Sequence, residues 1–309
     1  QIDTLKVSTV AMADWDHVTF AQKFSQYKAD KDYKQLKHLL SQVAKDNYAR
    51  RETFGRIPRT IPVSHAETLR CKPHKDSVPI ISFSKMDTAD ACFYFAKQRR
   101  RVCALNFANG KDVGGGYMMG ATAQEEDLCR QIPLLYSSLN NAQKHDLYPF
   151  GPPTCSSADK PEKYCDVLYT NNLLLARGGA EEGFRILKPR EQVAVSLIAA
   201  AAPNIKFSKD VNDEKLIYRT MKTIFNAPHV AEPGAIDTLI LGAWGCGAFG
   251  GDPVQIARLF VQALLAEGLG QGYKEVHFAI PQFSVEDQNY DVFRDVFRRS
   301  IPDVKDYDS

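Results

Sequence analysis

Residues 105–130 read LNFANGKDVGGGYMMGATAQEEDLCR, and they join a strand end, a glycine loop and an acidic helix start. The apolar run Val102–Phe107 predicts a buried strand, and a helix is expected from about Ala123 to Leu139. Gly114, Gly115 and Gly116 lie between them. Consecutive glycines admit positive φ and let a ligand approach the backbone. A loop of this kind between strand and helix can cradle a phosphate, because its N–H groups converge on an anion. Three glycines alone also suit a tight turn. Gln124, Glu125 and Glu126 follow. Thr122 and Glu125 have the T-x-x-E spacing of a capping box, and acidic residues suit a first helical turn. That accounts for Glu125 but not for Glu126 or for the glycines. Two adjacent carboxylates oppose simple phosphate binding. They suit proton transfer beside a glycosidic bond. Their repulsion raises at least one pKa and the helix N-terminus lowers it; the balance depends on burial, which a sequence does not display.

A second junction has the same grammar. Residues 239–253 read LILGAWGCGAFGGDP. The strand Thr238–Leu241 runs into Gly242, Gly245, Gly247, Gly250 and Gly251; Asp252 is the expected N-cap and Pro253 the expected first helical residue. Two such junctions suit a ligand with two phosphates, or a phosphate and a sugar, held at the carboxyl ends of strands. Phe249 either packs over a sugar or anchors the loop to the core. Neither loop matches the P-loop or the dinucleotide fingerprint, which disfavours both chemistries. Cys246 stands between glycines of this loop, but no histidine lies at an interpretable spacing, and a small side chain in a tight loop explains it better.

Around these loops the chain alternates strand-like and helix-like segments. Val78–Phe83, Val193–Ala200 and Val276–Ile280 read as further strands; 87–100, 254–267 and 285–299 read as helices. This alternation predicts a largely parallel sheet covered on both faces. Residues 1–55 are polar, with Leu36, Leu39, Leu40 and Val43 at helical spacing, and predict amphipathic helices laid on the body. Residues 54–76, with Pro58, Pro62 and Pro73, read as extended connection, and 140–165 as a long loop. The 39 basic and 37 acidic residues among 309 leave a net charge of +2, which excludes a protein held to nucleic acid by bulk charge alone. Lys97–Arg101 (KQRRR) is the densest basic run and is better read as a solvated helix end than as a phosphate site. Seven cysteines without a C-x-x-C pair speak against structural zinc and for a reducing compartment; His65, His74, His145 and His277 lack metal spacing. No apolar run approaches the ~18 residues of a membrane span. The chain starts at Gln1, which leaves a removed targeting segment open.

The GGG-x7-QEE pattern resembles the signature of the microbial type of poly(ADP-ribose) glycohydrolase, a catalytic branch of the macrodomain superfamily. LNFAN (105–109), VLYTNNLLLARG (167–178), VSLIAAAAPN (195–204) and GCGAFGGDP (245–253) are similar to further parts of that family. The resemblance spans about residues 45–300 and departs from the group at Val113, where proline is usual. It implies a three-layer α/β/α macrodomain-like fold with a mixed, largely parallel sheet, and an organisation into an N-terminal helical extension (1–55) and a catalytic domain (56–309). It implies a hydrolase that cuts ribose–ribose bonds of poly(ADP-ribose) and releases ADP-ribose. Glu126 would be the general acid and then base, and Glu125 would hold the terminal ribose. Asn106, Gly114, Gly115, Gly116, Gln124, Gly245, Gly247, Ala248 and Phe249 would bind substrate, and Phe283 would stack on adenine. No metal or cofactor is implied. The implied partners are poly(ADP-ribose) and ADP-ribosylated proteins, met by a monomer inside the cell, in cytoplasm or nucleus, in the DNA damage response. The same loops would also serve a non-catalytic ADP-ribose reader or a hydrolase of mono-ADP-ribose on protein or nucleic acid.

Overall fold

The computed structural model describes residues 14–71, 78–154, 161–207 and 213–307. The helices expected within residues 1–13, and Pro73, His74, Cys155, Ser156 and Ser157, lie outside the described residues. In chain order the elements are α1 His17–Ala29, α2 Tyr33–Ala49, β1 Thr60–Val63, α3 His65–Thr68, β2 Ile80–Ser84, α4 Thr88–Lys97, β3 Val102–Phe107, α5 Gln124–Gln131, α6 Leu135–Lys144, α7 Pro161–Tyr164, β4 Val167–Leu175, β5 Val193–Ala200, α8 Glu214–Ala231, β6 Thr238–Leu241, α9 Pro253–Ala266, β7 Glu275–Ala279, α10 Asn289–Arg298 and β8 Lys305–Asp306.

The eight strands form one sheet in the order β1-β4-β5-β3-β6-β7-β2-β8. From β5 to β8 every pairing is parallel, while β4 runs antiparallel to both β1 and β5. Successive side chains of a strand point to opposite faces, so a strand buried on both sides reads as a continuous apolar run. β3 shows this directly. Cys103 and Leu105 join a core with α8, α9 and α10, through Met221, Phe225, Phe260 and Phe297. Val102 and Ala104 join a second core with α4, α5 and α6, through Phe95, Leu128 and Leu135. The result is the expected three-layer α/β/α arrangement with a mixed, largely parallel sheet. Among the described residues no helix is long and apolar enough to cross a membrane.

Four local expectations change. The single helix over 123–139 is two, α5 and α6, because Pro133 forces Ile132 out of the helical region (φ −112°, ψ 84°) and ends the first. The connection over 54–76 contains β1, an edge strand in which Pro62 is tolerated because the missing N–H costs no ladder bond on an edge. The loop over 140–165 begins with the last turn of α6, and at Tyr148–Pro149 the peptide is cis. Finally, α8 is an amphipathic helix with Ile217, Met221, Ile224 and Phe225 buried on one face, a 3.6-period stripe that the strand-centred reading passes over.

The N-terminal helices α1 and α2 pack on each other and on Phe184 through Phe20, Phe24, Leu39, Leu40 and Val43. They reach the body at two glycines. A Cβ at Gly120 would stand 1.9 Å from the Lys37 carbonyl oxygen, and one at Gly183 would stand 1.9 Å from that of His17. Both glycines have positive φ, so backbone meets backbone where no side chain could fit.

Candidate active site

The site is built at the carboxyl ends of the parallel strands, beginning with a side-chain tie between β3 and α5. Gln124 Oε1 accepts from the Phe107 N–H at 2.8 Å, and its Nε2 donates to the Leu105 carbonyl at 2.7 Å and to Thr88 Oγ1 at 3.0 Å. The amide thus extends the strand's hydrogen bonding across to the helix start. The expected T-x-x-E capping box does not form. The N-cap is Ala123, no side chain caps it, and Glu125 turns inward instead.

Glu125 is 3% exposed. Its Oε2 accepts from the Asn109 N–H at 2.8 Å and its Oε1 from Asn106 Nδ2 at 3.2 Å. Burial pushes its pKa up to about 8, and the charge of Glu126 pushes in the same direction, against the lowering by the two hydrogen bonds. Desolvation therefore outweighs the donors around it.

Glu126 is 7% exposed, with its Oε1 accepting from the Gly116 N–H at 2.8 Å. Its Oε2 is buried and has no partner among the described residues. The glycines explain how a carboxylate comes so close to backbone. A Cβ at Gly115 would lie 2.6 Å from Glu126 Oε1, and φ there is +54°. Gly115 donates to the Asp112 carbonyl at 3.0 Å and Gly116 to Glu126, so two of the three triple-glycine amides serve the loop and the carboxylate.

The second loop is arranged differently. Asp252 caps α9 by accepting from the Val254 N–H at 2.9 Å, with Pro253 at the first turn as expected. Trp244 is fully buried and donates from Nε1 to the Ala200 carbonyl at 3.0 Å, which fixes the loop's root. Gly250 and Gly251 donate back to Gly247 and Gly245. The successive N–H groups of Gly247, Ala248 and Phe249 have no acceptor among the described residues. A run of unpaired amides in a tight loop is an anion nest. Phe249 is half-buried against the main core, and its carbonyl accepts from the Ile205 N–H at 3.0 Å, so the residue anchors the loop to the core.

The two loops are neighbours because β3 and β6 are adjacent and parallel; a Cβ at Gly242 would lie 3.0 Å from the Phe107 ring. Further along, at the ends of β2 and β7, a cavity of about 460 Å³ is lined by Lys85, Met86, Asp87, Asp90, Pro281, Gln282 and Phe283. Phe283 is 85% exposed, so it is no core aromatic. Further polar atoms buried without a partner among the described residues include Asn106 Oδ1, the Tyr148 hydroxyl and Asn204 Oδ1. Burial raises the Tyr148 pKa, with the charge of Glu125 acting in the same direction. Sequence reading gives Tyr148 and Asn204 no role: Tyr148 bears no motif and Asn204 only closes the family-like segment 195–204, and each lies in a connection whose course only the fold sets.

Other candidates resolve as structure. Arg100 pairs with Glu275 at 3.8 Å, and Arg101 with Asp237 at 3.7 Å and the Gly234 carbonyl at 2.9 Å, so the basic run is largely engaged within the chain. Burial lifts the Cys246 thiol to about 12, far from a reactive thiolate. Among the described residues no group of three or more His, Cys, Asp and Glu side chains is placed to hold a metal ion.

The family model described as the catalytic domain of microbial-type PARG, poly(ADP-ribose) glycohydrolase, matches residues 16–177, a stretch that includes the triple glycine, the QEE helix and both N-terminal helices. A comparison with curated proteins gives no match. Among solved structures, poly(ADP-ribose) glycohydrolase from Deinococcus radiodurans in complex with ADP-ribose is 26% identical, with TM-score 0.63, covering 78% of this chain and 94% of that one. The enzyme of the same name from Thermomonospora curvata shares the fold at 24% identity, with TM-score 0.71 over 84% of this chain and all of that one. A structure of the latter bound to the inhibitor ADP-HPD aligns with TM-score 0.68 at 23% identity.

Proposed function

This chain belongs to the family of microbial-type poly(ADP-ribose) glycohydrolase catalytic domains, and from that premise we propose that Glu126 moves the proton when a ribose–ribose bond of the polymer is cut. The enzyme is a glycosidase. The observation that carries the assignment is the split of one carboxyl group: Oε1 is held by the Gly116 N–H, while Oε2 is buried and unpartnered among the described residues. A group that must give and take a proton is served by one oxygen held in place and the other not committed to a partner within the protein.

In the forward step Glu126 gives its proton to the ribose oxygen that leaves the anomeric carbon, and the C–O bond breaks. Positive charge develops on the sugar ring and is met by the carboxylate now left behind and by the substrate's own phosphates. A water then attacks that carbon and its proton returns to Glu126. Glu125, whose carboxyl group holds its proton at neutral pH, donates to a hydroxyl of the terminal ribose. Asn106 fixes Glu125 and offers its unpartnered Oδ1 to the same sugar. Gly245, Gly247, Ala248 and Phe249 take the diphosphate on the unpaired amides. Gly114 to Gly116 shape the wall beside it, and Gln124 keeps α5 registered to β3. Phe283 stacks on adenine at the cavity beyond. The substrate is the polymer, free or on modified proteins, ADP-ribose is the product, and the enzyme acts as an intracellular monomer. The division into residues 1–55 and 56–309 stands as part of the same proposal.

The test is release of free ADP-ribose from purified poly(ADP-ribose) by the wild type and by Glu126→Gln. We expect turnover to be abolished in the variant, with ADP-ribose affinity within about tenfold, because the amide keeps the acceptor for Gly116 but has no proton to give. Loss of ADP-ribose binding in a folded variant would overturn the assignment. Binding without release by the wild type would replace the polymer by mono-ADP-ribose substrates or by a reader role.

A further inference from the structure

One buried side chain joins the N-terminal helices to both halves of the catalytic stretch. Asn47, on α2, is 1% exposed. Its Nδ2 lies 3.0 Å from the Tyr117 hydroxyl, 3.0 Å from the Arg130 carbonyl and 3.2 Å from the Cys129 carbonyl, so its two N–H groups are shared among three acceptors, one of the bonds bifurcated. Its Oδ1 accepts from Arg177 Nε at 2.7 Å. Tyr117 directly follows the triple glycine. Cys129 and Arg130 are in the last turn of α5, where carbonyls have no partner inside the helix and must find one elsewhere.

The surroundings leave Asn47 little freedom. Arg177 is fully buried, donates to the Phe184 carbonyl at 2.9 Å and pairs with Asp46, so the guanidinium holds the Asn47 amide in one orientation. The Lys37 carbonyl of the same helix sits against Gly120, in the turn between the glycines and α5. The Arg130 guanidinium donates to the Ala121 carbonyl of that turn and lies 6.0 Å from the Tyr117 ring. Glu126 therefore sits on a short helix whose start is tied by Gln124 to β3 and whose end is tied by Asn47 to α2. The Gly116 amide that holds Glu126 lies on the loop that Asn47 fixes through Tyr117.

We propose that Asn47 is a positioning residue of the reaction: it sets the distance between the triple-glycine loop and Glu126, and through it the N-terminal helices are part of the catalytic apparatus. This rests on the assignment of proton transfer to Glu126. The diphosphate nest of the second loop lies outside the Asn47 network, so loss of Asn47 should separate turnover from binding.

The experiment measures kcat on poly(ADP-ribose), Kd for ADP-ribose and Tm for Asn47→Ala, Tyr117→Phe, Glu126→Gln and the double variant Asn47→Ala/Glu126→Gln, at a temperature where each is folded. Misplacement of a catalytic group by about 1 Å costs on the order of 100-fold. We expect kcat of Asn47→Ala to fall at least 10-fold with Kd within threefold. Tyr117→Phe, which removes only the hydroxyl, should fall in the same direction by less. The double variant should be no slower than Glu126→Gln alone. A kcat for folded Asn47→Ala within twofold of wild type would overturn the proposal, as would a loss that merely tracks the unfolded fraction. If Asn47→Ala does not fold, Tyr117→Phe decides: unchanged kcat overturns the proposal, and a fall with unchanged Tm supports it. Full turnover by Glu126→Gln would show instead that the underlying acid–base assignment had failed.

Discussion

Glu125 and Glu126 are adjacent in sequence and differ in what surrounds their oxygens. Glu125 has both oxygens bonded inside the protein and is pushed up to about 8 by burial; Glu126 has one oxygen bonded and the other buried without a partner among the described residues. The raised pKa has a consequence for stability. The folded state holds a proton on Glu125 that the unfolded chain gives up near 4.5. The native state therefore binds more protons between about 4.5 and 8, and stability falls as pH rises through that window and levels above it. Asp127, pushed by burial to about 6, adds a slope of the same sign at lower pH. Denaturant unfolding at a series of pH values should show wild-type stability declining from pH 5 to 8. Glu125→Gln should flatten the upper part of that decline, by up to about 1.4 kcal/mol for each pH unit in which Glu125 alone titrates. A variant curve parallel to wild type would show that Glu125 is ionised at neutral pH.

At the scale of elements, the short α5 carries Glu125 and Glu126, and its position depends on contacts at both ends. Gly120 is the tightest of these. Its φ of +78° is unfavourable for any residue with a Cβ, and a Cβ placed there would collide with the Lys37 carbonyl oxygen. Gly120→Ala must push α2 away from the turn or distort the turn itself. The combined cost is expected to be about 3 kcal/mol, from the left-handed backbone and the overpacking together. Calorimetry should show a lowered Tm, and kcat should fall with it even well below Tm, since the displaced turn carries Tyr117. A Tm equal to wild type would mean that α2 and the loop touch less closely than described.

At the scale of the molecule, the site exists because the carboxyl ends of β5, β3, β6, β7 and β2 lie side by side in parallel. Their loops open in one direction and supply, in spatial order, Asn204, the triple-glycine loop, the unpaired amides of residues 247–249 and the cavity edged by Phe283. Opposite-charge pairing then fastens the N-terminal helices to this frame. Arg177, just after β4, is fully buried and Asp46 of α2 is its ion-pair partner. Removing one member of a buried pair leaves an uncompensated charge, which costs about 3–5 kcal/mol. Asp46→Ala should lose an amount near the lower end of that range, because Asp46 is the more exposed partner. Chemical denaturation would measure it, and a change under about 1 kcal/mol would show that the Asn47 and Phe184 oxygens alone suffice for the guanidinium.

Much of this was legible in the amino-acid sequence, because the signals were local. β3 and β6 are continuous apolar runs, and their bounds in the structure are those read from the chain. The Asp252–Pro253 helix start and the GGG-x7-QEE spacing state backbone geometry within a few residues. The sequence also singled out Glu125 and Glu126 as a pair. What it did not contain is any statement about distance between remote positions. The T-x-x-E spacing is a valid capping box on paper, and it is absent because Glu125 gains more from Asn106 and the Asn109 amide, partners that β3 brings to it. Desolvation, which sets the Glu125 pKa, is a property of everything packed around it. Asn47 and Tyr148 bear no motif, Arg177 and Asn204 lie in stretches whose resemblance gave them no role, and the neighbours of all four are supplied by chain segments far away in sequence. Periodicity and spacing determined the central strands, the glycine loops and the acidic pair; tertiary packing alone decided which carboxyl oxygen is left without a partner, because burial and long-range hydrogen bonds exist only once the layers have closed.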